Sequence, residues 1–495
     1  MGGTMKKSKI ILPVIFIILT GLCLAQDEYV VVGGTQSYTH GSYDFLIYKL
    51  DTTGAKQWRK NFGGTKYDFG YAVLQTTDGG YVVAGDSESY IHGTLDRDFL
   101  IYKLDVTGNK LWRKNYGGTD SEVCYAIHQT SDGGIVLAGF TFSYSHGSGD
   151  SDFLIYKLDG SGNKLWRKNL GGTGGEWAHS IRQTGDGGYV VAGYTQSYTN
   201  GGYDFLIYKL DAAGAKVWRR NLGGADDDEA WSIRQTADGG YVVAGETDSY
   251  THDADDTDFL VYKLDGAGNK QWRKNLGGTE EDVACAIRQT HDGGYVVAGY
   301  TRSYTHGSGD RDFLIYKLDA TGAKLWRKNL GGTKEDVAYD IEPTDDGGYV
   351  VAGYTRTYTH GSDDFLIYKL DAAGAKQWRK NFGGLGTEYA YGVQVTSEPD
   401  FDVRGVWAIE VTWAGFDPLL RTITFTGTKS SGTFIMASAS RTYSGSYSVQ
   451  GKTVTFLHPV TSVRWCVHVG EFNLTTHMAG TMDDLDWYGT WRAWR

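Results

Sequence analysis

An all-β chain, a seven-bladed β-propeller followed by a small antiparallel β-barrel or sandwich domain, is the fold class this sequence predicts, and three observations predict it. A unit of 52 or 54 residues recurs seven times, marked by Trp58, Trp112, Trp166, Trp218, Trp272, Trp326 and Trp378. Each unit holds four runs rich in Val, Ile, Tyr, Phe and Leu, with no sustained helical period. Asp-Gly-Gly, x-Gly-Asn/Ala and Gly-Gly-Thr turns separate the runs, and the 495 residues include 70 Gly but only 5 Pro. Four short strands make one blade. A lone blade leaves both sheet faces wet, whereas radial packing of about four to eight blades buries them. An open solenoid would need polar terminal copies, and here the first and last units keep the full apolar pattern.

The chain opens with Lys6, Lys7 and Lys9, an apolar stretch from Ile10 to Leu24 and the small Ala25, which predicts an export signal over residues 1–25, cut after Ala25. That stretch is shorter than the roughly 20 apolar residues a spanning helix needs, and no later segment approaches it. A secreted or cell-surface protein without a membrane span is therefore expected. Cys23 raises a lipid-anchor reading, but Leu22 precedes it where a lipobox would want Gly or Ala.

The propeller is expected over residues 26–398. In each unit the Asp-Gly-Gly turn joins a run such as Ala-Ile-Arg-Gln-Thr to Tyr-Val-Val-Ala-Gly as a hairpin, with the first of these innermost and the Trp strand outermost. Tyr29 to Gly33 then lacks an inner strand before it, and Glu388 to Thr396 lacks a hairpin partner after it, so the two are expected to pair and close the ring. Where some units are two residues shorter, the loss falls in the loop before Asp-Phe-Leu, as in Thr199 to Asp204.

After Ser397-Glu398-Pro399-Asp400 the repeat stops, and about eight short alternating strands predict a second β domain over 399–495.

These motifs resemble the secreted bacterial and archaeal β-propeller repeats of the Asp-Gly-Gly-Tyr type, and more distantly the Kelch and quinoprotein propellers. The resemblance covers residues 29 to about 398 and implies architecture rather than activity, since propellers host binding, scaffolding and unrelated enzymes. No cofactor or metal ligand of the quinoprotein family maps onto this chain, and no cofactor is expected. Gly405-Val406-Trp407 and Gly489-Thr490-Trp491 make the second domain look lipocalin-like.

The net charge of −11 leaves no basic face to displace phosphate counterions, which excludes nucleic acid as a partner. A glycan or protein ligand fits better, and a monomer is expected. Cys124, Cys285 and Cys466 form no disulfide framework and have no metal-ligand spacing; the first two read as buried thiols.

Three groups of residues could carry function. The loops between the second and third strands share one propeller face, which receives Tyr38, Tyr90, Tyr144, Tyr198, Tyr250, Tyr304 and Tyr358, with His40, His92, His146, His252, His306 and His360 and with Asn200 in the fourth copy. They read as a ligand-binding ring, or as packing and turn residues that repeat because folding needs them. Asp253, Asp255, Asp256 and Asp258 offer hard oxygen ligands for calcium, although Asp258 and its counterparts before Phe-Leu also suit backbone N–H groups.

Symmetry breaks on the inner strands, where one position reads Leu74, His128, Arg182, Arg234, Arg288, Glu342 and Gln394. Asp340 and Glu342, spaced i and i+2, face one side of a strand. With His128 they are the catalytic candidates of a hydrolase or lyase, while the neighbouring arginines point to an ion-pair network. No G-x-S-x-G, H-E-x-x-H or phosphate loop is present. The favoured reading is an exported, non-catalytic binding or surface-interaction protein.

Overall fold

The computed structural model describes residues 27–396, apart from short loop stretches at 94–95, 148–149, 200, 254–255 and 308–309, and it describes the strands between 405 and 494 as backbone. The export signal expected over 1–25, with Cys23, lies outside the described residues.

Seven four-stranded antiparallel sheets form the propeller unit. The second blade shows the plan. Its strands Asp68–Gln75, Tyr81–Ser87, Asp98–Leu104 and Lys110–Tyr116 pair in chain order. The second and third strands of every blade are Val-, Ile-, Leu- and Phe-rich and almost wholly buried, because their two faces pack against both neighbouring blades. Val30, Phe45, Tyr81, Val83, Leu100 and Tyr102 form one such inter-blade cluster.

The first blade is assembled from both ends of the repeat, as the sequence predicts: Glu388–Thr396 is its inner strand and pairs antiparallel with Glu28–Thr35. The hydroxyl of Thr35 donates to the Glu388 carboxylate at 2.9 Å across this closure.

The Asp-Gly-Gly motif has a local cause. Thr76 N–H donates to Gly80 O at 2.9 Å and Gly79 N–H to Thr76 O at 2.8 Å, a tight hairpin in which Gly79 sits at φ +79°, where a side chain would be strained. The Asp78 carboxylate accepts from Gly80 N–H at 3.0 Å and from the buried Lys103 ammonium at 2.8 Å, pinning the turn to the third strand.

Each inner strand carries a β-bulge at its fourth residue. In the second blade the register passes from Gly70–Gly85 to Ala72–Ala84, leaving Tyr71 unpaired. A Cβ on Gly85 would lie 1.7 Å from Phe69 O, so the bulge dictates the glycine that ends Tyr-Val-Val-Ala-Gly.

In the second unit, eight strands from Gly405–Trp413 to Trp487–Trp494 pair antiparallel in sequence order, and the last returns to the first. Among the described residues no helix is long and apolar enough to cross a membrane.

Candidate functional site

The inner strands surround an axial channel of about 340 Å³. Its walls have two layers. The bulged residues, Tyr71, Tyr125, His179, Trp231, Cys285, Tyr339 and Tyr391, all line it. Five of the neighbouring pairs are in ring contact, with centroids 5.1 Å apart for Tyr71 and Tyr125, 4.6 Å for Tyr125 and His179, 4.2 Å for His179 and Trp231, 4.6 Å for Tyr339 and Tyr391, and 5.1 Å for Tyr391 and Tyr71. Burial pushes His179 down to about 3, so its imidazole is neutral, and it raises the Cys285 thiol. Cys124 is buried, and its Sγ donates to Ala126 O.

The second layer lies nearer the Asp-Gly-Gly turns and holds the charges. The guanidinium of Arg288 is shared by both carboxylates of the neighbouring inner strand: Nη2 donates to Asp340 Oδ1 at 2.6 Å and Nε to Glu342 Oε1 at 2.7 Å. Asp340 also accepts from the N–H groups of Ile341 and Val393. Arg182 and Arg234, on the two preceding blades, each donate Nη1 to a carbonyl of their own strand, Ile181 O at 2.6 Å and Ile233 O at 2.8 Å. Burial, then repulsion from Arg288, pulls Arg182 down to about 10, and burial, then Arg182, pulls Arg234 well below its usual value. His128 is held neutral at about 3 by burial, Arg182 and Arg234.

Of the catalytic candidates, Asp340, Glu342 and His128 all line this channel, and the two carboxylates are engaged by Arg288. An ion-pair network occupies the place of an acid and base pair.

The opposite end of the channel opens on the face of the Tyr and His loops. Here Tyr38, Tyr90, Tyr144, Tyr198, Tyr250, Tyr304 and Tyr358 are half-buried struts. Each hydroxyl donates to the carbonyl of the glycine ending the preceding blade, as in Tyr198 to Gly171 O at 2.6 Å. Each ring lies under an arginine of its own outer strand, 3.4 to 3.7 Å from guanidinium carbon to ring centroid.

The histidines point outward. His40, His306 and His360 place Nδ1 2.5 Å from the carboxylates of Asp44, Asp312 and Asp364, and His92, His146 and His252 contact Asp98, Asp152 and Asp258 in the same way. The aspartates are buried and the imidazoles 45 to 58% exposed. A carboxylate only accepts, so Nδ1 carries the proton and Nε2 is left as an acceptor; at His306 it lies 3.5 Å from Asn329 Nδ2. Asn200 lies outside the described residues.

The calcium candidates are divided. Asp258 Oδ2 accepts from the His252 N–H, Asp256 accepts from Thr257 N–H, and Asp255 lies outside the described residues. Among the described residues no three His, Cys, Asp or Glu side chains are grouped to hold a metal ion.

Sequence reasoning missed an aromatic collar around the mouth on this face. Trp177, Tyr194 and Tyr203 from one blade are half-buried, with centroids 5.0 Å apart for Trp177 and Tyr194 and 5.2 Å for Tyr194 and Tyr203. Tyr43 and Tyr67 form a second, half-buried pair 5.1 Å apart, resting on the buried Phe69 5.1 Å from Tyr43. The signal was available at Trp177, where the neighbouring repeats carry Val123 and Glu229, and at Tyr203, where they carry Ser151 and Thr257.

Comparison with known proteins places the fold. A family model described as outer membrane protein assembly factor BamB matches residues 257–399, and one described as a β-propeller domain of unknown function matches 184–216. The regulatory protein FlaEY of Caulobacter vibrioides is 25% identical over 223 residues, covering 39% of this chain and 23% of that protein, so the chain spans about a quarter of the curated relative it matches. Similar solved structures include a puromycin hydrolase, 13% identical with a TM-score of 0.46, covering 81% of this chain and 58% of that one. The Pan2 WD40 domain of Neurospora crassa is 12% identical with a TM-score of 0.40, covering 63% of this chain and 82% of that one. The chain is a seven-bladed β-propeller repeat protein.

Proposed function

We propose that this is an exported, monomeric, non-catalytic binding protein that recognises a glycan on the face carrying the histidine ring and the aromatic collar. The observation that carries the reading is the half-buried cluster of Trp177, Tyr194 and Tyr203, in which Tyr194 stacks on the channel-lining His179 at 5.3 Å. Sugar rings offer apolar C–H faces to such surfaces, and a platform held by its own ring contacts loses little freedom on binding. The six half-exposed imidazoles extend the face with Nε2 as an acceptor to which hydroxyl groups can donate.

Two further observations support binding over chemistry. The carboxylates available for acid–base work in the channel are engaged by Arg288, and His128 is held neutral. Neither the assembly factor nor the regulatory protein that the chain resembles is named for a reaction. We read the strands after residue 405 as a lipocalin-like accessory domain.

A glycan array probed with the whole chain tests this. Binding to a defined glycan, lost in Trp177→Ala, is the expected result. Turnover of a hit, abolished by Glu342→Gln, would replace it with the hydrolase or lyase reading.

A further inference from the structure

The charged layer of the channel is unbalanced. Arg182, Arg234 and Arg288 occupy the same position on three consecutive inner strands, and Leu74, His128, Glu342 and Gln394 complete that ring. Two carboxylates, Asp340 and Glu342, face three guanidinium groups, and Arg288 takes both. Among the described residues neither Arg182 nor Arg234 has a carboxylate within ion-pair distance, and each uses a single Nη1 on a backbone carbonyl. His128 adds no negative charge. A chain whose net charge is −11 thus directs two incompletely satisfied cations into one cavity.

Both guanidinium groups are half-buried on the channel wall, and Asp340 and Glu342, already engaged by Arg288, offset only part of their lost hydration, so a further counter-charge in the channel would be stabilising. Nearby acidic residues were available to evolution at the same position of other blades, as Glu342 demonstrates. The remaining N–H groups of each planar guanidinium suit the paired oxygens of an oxyanion. Arg234 Nη1 also reaches the hydroxyl oxygens of Ser180 and Ser232, which accept at 3.4 and 3.5 Å; the Ser180 O–H donates to Ile233 O at 3.5 Å, and the Ser232 O–H can turn to donate to the same ligand. About 340 Å³ admits a small molecule and no polymer.

We propose that the axial channel binds a small oxyanion, an inorganic phosphate or the carboxylate of a small organic acid, between the guanidinium groups of Arg182 and Arg234. The charged layer adjoins the Asp-Gly-Gly turns, so the ligand enters from the face opposite the histidines. The aromatic layer of Tyr71, Tyr125 and Trp231 lines the far side and offers an apolar wall to the body of an acid. This site is independent of the glycan face.

Calorimetric titration of the whole chain with sodium phosphate, acetate and benzoate, each against sodium chloride at equal ionic strength, tests the proposal. One equivalent of at least one oxyanion binds, and the same anion raises the melting temperature above the chloride control. Phosphate alone identifies the inorganic source; benzoate above acetate identifies an organic acid. Arg182→Gln and Arg234→Gln each weaken binding about tenfold to a hundredfold, the loss of a charge-assisted pair. Arg234→Lys, which keeps the charge without the fork, falls between. Lys60→Gln on the outer rim leaves binding unchanged. A wild-type protein that binds none of the three anions, or binding that survives both glutamine substitutions or is lost equally in Lys60→Gln, overturns it. If a glutamine variant does not fold, the Arg234→Lys titration and the wild-type melting shift decide alone.

Discussion

Trp218 meets Tyr241 of the following blade edge-on, their ring centroids 5.7 Å apart at 71°. Five other junctions repeat the contact, including Trp378 against Tyr29 across the closure at 5.7 Å. The junction at Trp112 differs, since Ile135 stands where the tyrosine would be. These tryptophans are half-buried clasps on the outside of the ring. Trp218→Ala is expected to cost about 2 to 3 kcal/mol, less than a fully buried tryptophan, because half the ring is already wet. Trp112→Ala should cost less again. Chemical denaturation of the two variants compares them directly, and an equal loss would remove the tyrosine from the account.

Closure is a second test. Deleting residues 388–396 strips the first blade of its inner strand and exposes the long apolar edge Glu28–Thr35. The melting temperature of the propeller should fall, and the variant should self-associate through the open edge. Size-exclusion chromatography with thermal unfolding reads both effects.

Stability should peak in mild acid. Burial pushes Asp86 from 3.8 up to about 7 and Asp282 up to about 6, so the folded state holds these protons more tightly than the unfolded chain. Stability contributed this way is present below about pH 4 and is lost as pH rises through 6 to 7. The turn aspartates behave oppositely. Burial works against their charge, but hydrogen bonds, including those from Thr130, Gly134 and Lys157 to Asp132, outweigh it and hold Asp132, Asp186, Asp238 and Asp292 at about 2. Their contribution is present above about pH 4 and is lost as pH falls toward 2. His128 and His179, held neutral at about 3, oppose the first group, since their contribution is lost as pH falls below about 6.5; Glu229 and Glu246, raised by burial to about 7 and 8, add to it and outweigh them. Urea unfolding from pH 3 to 8 should give a maximum near pH 4 to 5, and Asp86→Asn should flatten the descending limb.

On the binding face, Trp177→Ala should abolish binding to an array hit, whereas His306→Ala should lower it by a modest factor, because six similar imidazoles share the rim. Titration of both variants against the same glycan separates them. Full loss in His306→Ala with none in Trp177→Ala would place recognition in a single loop instead of the collar.

Blade number, hairpin register and ring closure were legible because each follows from spacing along the chain. The shared face of Asp340 and Glu342 was legible for the same reason, as an i, i+2 pair on one strand. The aromatic layer was not. Strict alternation places Tyr71 on the opposite face from Ala72 and Leu74; only the bulge between Gly70 and Ala72 turns it to the axis, and nothing in Asp-Phe-Gly-Tyr-Ala announces an unpaired residue. The tyrosine ring was legible as a recurrence. Its work as a strut depends on the glycine carbonyl of another blade, which no single repeat contains. The collar of Trp177, Tyr194 and Tyr203 joins an inner strand, its neighbour and a loop, and becomes a surface only after the blade has formed.

The Thr35 to Glu388 hydrogen bond joins residues 353 positions apart. During synthesis the earliest strand of the repeat therefore emerges with no inner partner, while six complete blades are made behind it. At about 5 to 20 residues per second its vacant edge waits tens of seconds for the one segment that fits. Six other inner strands of similar pattern pass it meanwhile, each a tempting wrong mate. Speed of ring completion thus rests on each earlier inner strand being claimed at once by its own tight hairpin, which leaves the last as the free competitor. Loosening an Asp-Gly-Gly turn would release a rival, and its mark would be slow, heterogeneous refolding at little cost to the finished ring.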